Sequence, residues 1–110
     1  MSIAISRSDL DVLLSKWTKE RRPLWVVCVG SGVAFSLGGF ITTYDLNAIV
    51  VAHRESKSEI TIDLTAFDQF EYADVRELPE GIEPESRERM LCNITLRSKA
   101  MDCLLTEIRG

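Results

Sequence analysis

Two absences remove most site chemistry from this chain at once: there is no C-x-x-C pair, and His53 is the only histidine. Its three cysteines, Cys28, Cys92 and Cys103, are scattered among apolar or strand-like neighbours. A structural zinc site takes about four ligands, so no metal is expected. An odd number of thiols cannot all pair within one chain, and cysteine is among the most buried residue types, so buried reduced thiols are expected. No apolar run of about 20 residues free of glycine or turn residues is present to span a membrane. The opening MSIAISRSDLD also lacks the apolar core of a signal peptide and carries Arg7, Asp9 and Asp11, which predicts a cytoplasmic protein.

A basic stripe is missing too. Lys and Arg number 13 against 17 Asp and Glu, for a net charge of -4. Within residues 59–88, Glu59, Asp63, Asp68, Glu71, Asp74, Glu77, Glu80, Glu83, Glu85 and Glu88 face only Arg76 and Arg87. Such a segment repels phosphate, which disfavours nucleic acid as a partner. It reads as a solvated acidic surface, with a dock for a basic partner as the other reading.

What is present is a globular composition, 45% apolar and 27% charged over 110 residues, which fits one domain spanning residues 1–110. Residues 25–51, WVVCVGSGVAFSLGGFITTYDLNAIVV, form a nearly unbroken β-forming run interrupted by Gly30/Gly32 and Gly38/Gly39. Gly30-Ser31-Gly32 predicts a hairpin turn. A phosphate loop would need a third glycine where Phe35 stands, and a helix where another strand pattern follows. Gly38-Gly39 lies inside an extended run and predicts one strand bent through that pair, as a curling sheet requires.

Ahead of this run, Ser8 with Asp11 three residues on, and Leu10, Leu13, Leu14 and Trp17 at helical spacing, predict a helix over about residues 8–20. Lys16, Lys19, Arg21 and Arg22 gather at its end and Pro23 stops it. Strands are expected over about 24–75 and 90–108. Leu24 to Val29 reads as a doubly buried strand. Ile60, Ile62 and Leu64 alternate with Thr61, Asp63 and Thr65 as a half-buried strand, with a break near Asp68. Residues 78–88 read as a surface connection. Leu104 and Leu105 are adjacent, which leaves the inner face of the last strand open.

Few residues suggest chemistry. His53 sits at a strand end with no nucleophile that can be named beside it, and reads as an exposed histidine. Asp63 and Asp68 could pair for glycoside chemistry, but a polar face or a turn accounts for each. Phe67, Phe70 and Tyr72 could stack bases, yet their neighbours are acidic, so core or interface packing is expected. No catalytic, cofactor-binding or metal residues are assigned, and the chain is not expected to be an enzyme.

Gly39-Phe40-Ile41-Thr42-Thr43-Tyr44-Asp45, followed by Asn47, resembles the first motif of the Sm-like family: a glycine, a hydrophobic residue two later, then an aromatic-Asp turn and an asparagine. The resemblance covers about the first half of the chain. It implies an N-terminal helix ahead of a strongly bent barrel, with Asp45 and Asn47 in the loop that lines the central site of RNA-binding members. The expectation is therefore a mainly β protein, a small strongly bent antiparallel barrel of Sm-like or SH3-like form with an N-terminal α-helix. Its expected role is a non-catalytic interaction module that self-associates as a homo-oligomer or binds a protein partner. An Sm-like RNA binder using Asp45, Asn47, Arg21 and Arg22 is the alternative. A small-ligand or enzymatic domain with a pocket near His53 ranks last.

Overall fold

A computed structural model of the chain describes residues 3–30, 32–45, 47–53, 55–74 and 90–108. Eight strands and one helix occur among them. They are β1 (Ile3–Ala4), α1 (Arg7–Glu20), β2 (Leu24–Gly30), β3 (Val33–Tyr44), β4 (Ala48–Ala52), β5 (Glu59–Asp63), β6 (Gln69–Asp74), β7 (Met90–Arg97) and β8 (Met101–Ile108). All pairings are antiparallel, in the order β1-β6-β7-β8-β2-β3-β4-β5. The mainly β class and the N-terminal helix are as expected. The sheet is not closed: its two edges are β1 and β5. The surface connection expected over residues 78–88 lies outside the described residues.

The helix is capped two residues earlier than its sequence pattern suggests. Ser6, not Ser8, is the cap: its Oγ accepts from the Asp9 N–H at 3.1 Å, and Asp9 Oδ2 accepts from the Ser6 N–H at 3.3 Å. Both frames contain Ser-x-x-Asp, and hydrophobic flanks decide between them. The Ser6 frame sets Ile5 before the cap and Leu10 at the fourth helical position, and both join the core, an arrangement that fixes the entry of the chain. The Ser8 frame would put Val12 at that position, and Val12 is 68% exposed. Leu10, Leu14 and Trp17 are buried as the apolar spacing predicts.

A bend in β3 organises the sheet. Its first half pairs with β2, from Gly30↔Val33 to Leu24↔Gly39, and its second half pairs with β4, beginning at Phe40↔Ala52. The hairpin between β2 and β3 turns through Gly32, whose φ is +75°. At the changeover, a Cβ on Gly39 would stand 2.0 Å from the Ala52 carbonyl oxygen and 2.7 Å from its carbon. No side chain fits there. A Cβ on Gly38 would meet nothing within 4 Å. Of the glycine pair, only Gly39 is demanded by close approach.

Beyond the bend the register shifts between Ile41 and Thr43, so that Tyr44 pairs with Ile49 and packs against the core with it. Ile60 and Ile62 of β5 pair with Val51 and Ile49, which continues the inner face. Near Asp68 the expected break is present: Leu64–Ala66 is a 3-10 turn, and β6 joins β7 on the far side of the sheet. Phe67 is buried, and Phe70 and Tyr72 pack against the core, as expected of them. Leu105 is the inward residue of β8, and Leu104 faces out.

Because overpacking forces backbone to shift at a cost of about 1–3 kcal/mol, Gly39→Ala is expected to destabilise the protein by at least about 2 kcal/mol. Gly38→Ala should stay within about 1 kcal/mol of wild type. Paired urea unfolding curves check both, and equal effects would show that the approach of Ala52 to Gly39 is not a constraint.

Candidate functional site

In an antiparallel strand with one covered face, alternate residues face the core and the solvent. The strand Leu24–Gly30 follows that rule and is not doubly buried: Leu24, Val26 and Cys28 are buried, whereas Trp25 is 51% and Val29 52% exposed. Val27 lies between them, half-buried. Cross-strand pairing adds Ser36 and Leu104 beside Val27, and Ala34 and Asp102 beside Val29. Trp25 has Thr106 on one side and the bare Gly38 on the other, so the indole borders a notch. Together, Trp25, Val27, Val29, Ala34 and Leu104 make a connected apolar surface on the outer face of three central strands. Next to it, Thr106 Oγ1 donates to Asn93 Oδ1 at 2.7 Å, and both residues are buried.

A cleft of about 360 Å³ opens at the end of α1, lined in part by Arg21, Phe40, His53 and Glu55. Arg21 ends the helix in left-handed conformation, with φ 49° and ψ 50°, a region that usually takes glycine. Its N–H donates to the Thr18 carbonyl at 3.3 Å and the Arg22 N–H to that of Trp17 at 3.0 Å, while the Arg21 guanidinium lies 4.7 Å from the Phe40 ring centroid. His53 is half-buried rather than exposed. Its Nδ1 accepts from the N–H groups of Glu55 at 3.2 Å and Ser56 at 3.1 Å, so that nitrogen holds a turn.

Of the four residues named for RNA contact, Asp45 and Arg22 have side chains held by hydrogen bonds within the fold. Asp45 Oδ1 accepts from the N–H groups of Asn47 at 2.7 Å and Ala48 at 2.9 Å, which shapes the turn. Arg22 Nε donates to Glu107 Oε2 at 2.5 Å. Asn47 is exposed, and its carbonyl accepts from the Leu64 N–H at 2.8 Å. Arg21 lies beside Phe40, five residues before Asp45 along an extended strand, roughly 15 Å away. The arginines and the Asp45/Asn47 turn therefore stand at opposite ends of the second half of β3.

Other polar groups also serve the architecture. Asp63 Oδ1 accepts from the N–H and hydroxyl of Thr65, which hold its carboxyl below the usual range. The Cys92 thiol donates to Glu107 Oε1 at 3.4 Å, and burial, then the carboxylate, push it up to about 12. A thiol held protonated is a poor nucleophile. Among the described residues no group of three or more His, Cys, Asp or Glu is placed to hold a metal ion. No described helix is long and apolar enough to cross a membrane.

No protein-family model, curated protein or solved structure matches the chain. Of the outer apolar surface and the Arg21 cleft, the cleft has the plainer signal in the sequence, through His53 and Arg21. The signal for the surface was present but was covered by the uniform hydrophobicity of Leu24 to Val29.

One polar contact gives a pH dependence. The Tyr44 hydroxyl donates to Asp11 Oδ1 at 2.6 Å, and Arg7 Nη1 lies 3.2 Å from the same oxygen. Burial, then the hydrogen bond and charge of Asp11, push the Tyr44 phenol up to about 12, above the ordinary value of about 10. The fold prefers the protonated phenol, so its contribution is complete below pH of about 10 and is lost as pH climbs toward 12. Tyr44→Phe is expected to flatten the fall in stability over that window and to cost about 1 kcal/mol at neutral pH. Unfolding curves at stepped alkaline pH check this, and an unchanged slope would count against it.

Proposed function

We propose that this protein is a non-catalytic interaction module that self-associates through the outer face of β2, β3 and β8, in a sheet bent toward an open Sm-like or SH3-like barrel. The observation that carries the reading is Trp25: a tryptophan half-exposed in the middle of a sheet, with Val27 and Val29 following on the same outward face and Leu104 opposite Val27. Tryptophan is among the residues most enriched at the centre of energetic contacts between proteins. A second copy is the occupant that suits this face, since a two-fold contact places the same patch on both partners. With a net charge of -4 on each copy, the attraction has to come from apolar burial.

Edge pairing is a weaker route. β1 is two residues long, and β5 carries Glu59 and Asp63 at its ends; short and charged edges oppose strand addition. The Sm-like RNA-binding reading draws on a separate observation, the Arg21 guanidinium over Phe40 in the cleft with His53. Salt separates the two. Self-association through apolar surface is expected to persist or strengthen as salt is added, because like charges are screened. Binding to phosphate falls steeply.

Sedimentation equilibrium over a concentration series is expected to show a dimer at low and high salt, with dissociation raised on the order of thirtyfold by Trp25→Ala. Trp17 is buried in either state, so a blue shift of emission on association reports Trp25. A monomer at all concentrations, or a dimer indifferent to Trp25→Ala, would overturn the proposal. Salt-sensitive binding of uridine- or adenine-rich oligomers, abolished by Arg21→Ala, would replace it with the RNA reading.

A further inference from the structure

Cys28 in β2 and Cys103 in β8 are direct partners in the antiparallel ladder. They stand 75 residues apart in the chain, yet their sulfurs are 2.8 Å apart. Both are enclosed, at 3% and 0% exposure. Opposed residues in an antiparallel pair hold their Cα atoms about 4.5 or 5.5 Å apart, according to their place in the ladder. Disulfides span about 4.4–6.8 Å between Cα atoms, so the Cα separation of a directly opposed pair lies within the range a bond takes. Cys92 is set apart from this pair. On β7 the partner of Cys103 is Leu96, four residues and roughly 13 Å along the strand from Cys92.

We propose that Cys28 and Cys103 are a disulfide-forming pair, a modification site that takes a low-molecular-weight disulfide such as glutathione disulfide as its oxidant and leaves Cys92 as the free thiol. One protein thiol loses its proton to solvent and attacks a sulfur of glutathione disulfide. That S–S bond breaks, and one glutathione thiolate leaves and takes up a proton. The second protein thiolate attacks the protein sulfur of the mixed disulfide, the Cys28–Cys103 bond forms, and a second glutathione leaves. Two protein thiols are oxidised and one glutathione disulfide is reduced to two molecules of glutathione.

Burial raises both thiols in the closed sheet. Since the thiolate is the attacking species, exchange runs through the opened or refolding chain, and the closed pair resists reduction as well as oxidation. The bond would tie together the two strands that present Trp25, Val29 and Leu104. Closing a loop of this length lowers the unfolding equilibrium constant on the order of a thousandfold. This inference does not depend on the outer face having a partner.

The test refolds the full chain from denaturant in a glutathione redox buffer and in excess reductant, then quenches, alkylates and maps the peptides by mass. The expected product in the redox buffer is one bond joining the Cys28 and Cys103 peptides, with Cys92 alone alkylated. Its thermal midpoint should exceed that of the reduced chain in wild type and in Cys92→Ser. Three alkylated thiols after oxidative refolding, or a bond that includes Cys92, would overturn the proposal. The mapping is done on the wild-type chain, so a Cys28→Ser variant that fails to fold would not obscure the result.

Discussion

The Ala52 carbonyl lies so close to Gly39 that only a residue without a side chain can occupy that point, and the shape of the molecule depends on this approach. It lets β3 leave β2 at Leu24↔Gly39 and take up β4 at the next residue. A single strand thereby belongs to both halves of the sheet, and the sheet curves. Curvature gives the inner face a hollow that α1 fills with Leu10, Leu14 and Trp17. Without a handover of this kind the sheet would be flatter; β3, the strand both halves share, is also the one α1 packs against.

The same curvature separates the inner face from the outer one. Leu24, Val26 and Cys28 point toward the helix, while Trp25, Val27 and Val29 point away from it. Most polar side chains that first suggest chemistry are occupied with local geometry: Ser6 and Asp9 cap the helix, Asp45 and His53 hold turns, and Asp63 caps the 3-10 turn. What lies outside this architecture is an apolar surface and one strained arginine. That balance is the ground on which self-association is proposed.

Much of the fold was legible because local physics and tertiary packing agree. The apolar spacing of α1, the hairpin at Gly32, the alternation of Ile60 and Ile62 and the bend at Gly38-Gly39 were each visible in the chain. Four features were not. The helix cap moved from Ser8 to Ser6 because two equivalent Ser-x-x-Asp frames overlap and only core packing of Ile5 and Leu10 distinguishes them. Strand order was hidden, since nothing local says that β6 returns to β7 instead of remaining beside β5. The exposure of Trp25 was masked because a wholly apolar strand has the same composition whether one face or both are covered. The contact of Cys28 with Cys103 belongs to the same class, a product of register between strands far apart in the chain.

Through-space proton contacts measured by nuclear magnetic resonance test the sharing of β3 most directly. The account predicts cross-strand contacts of Leu24 with Gly39 and Trp25 with Gly38, together with contacts of Phe40 with Ala52 and Tyr44 with Ile49, all in one folded chain. Contacts confined to the β2 side, with Phe40 to Tyr44 remote from β4, would contradict it.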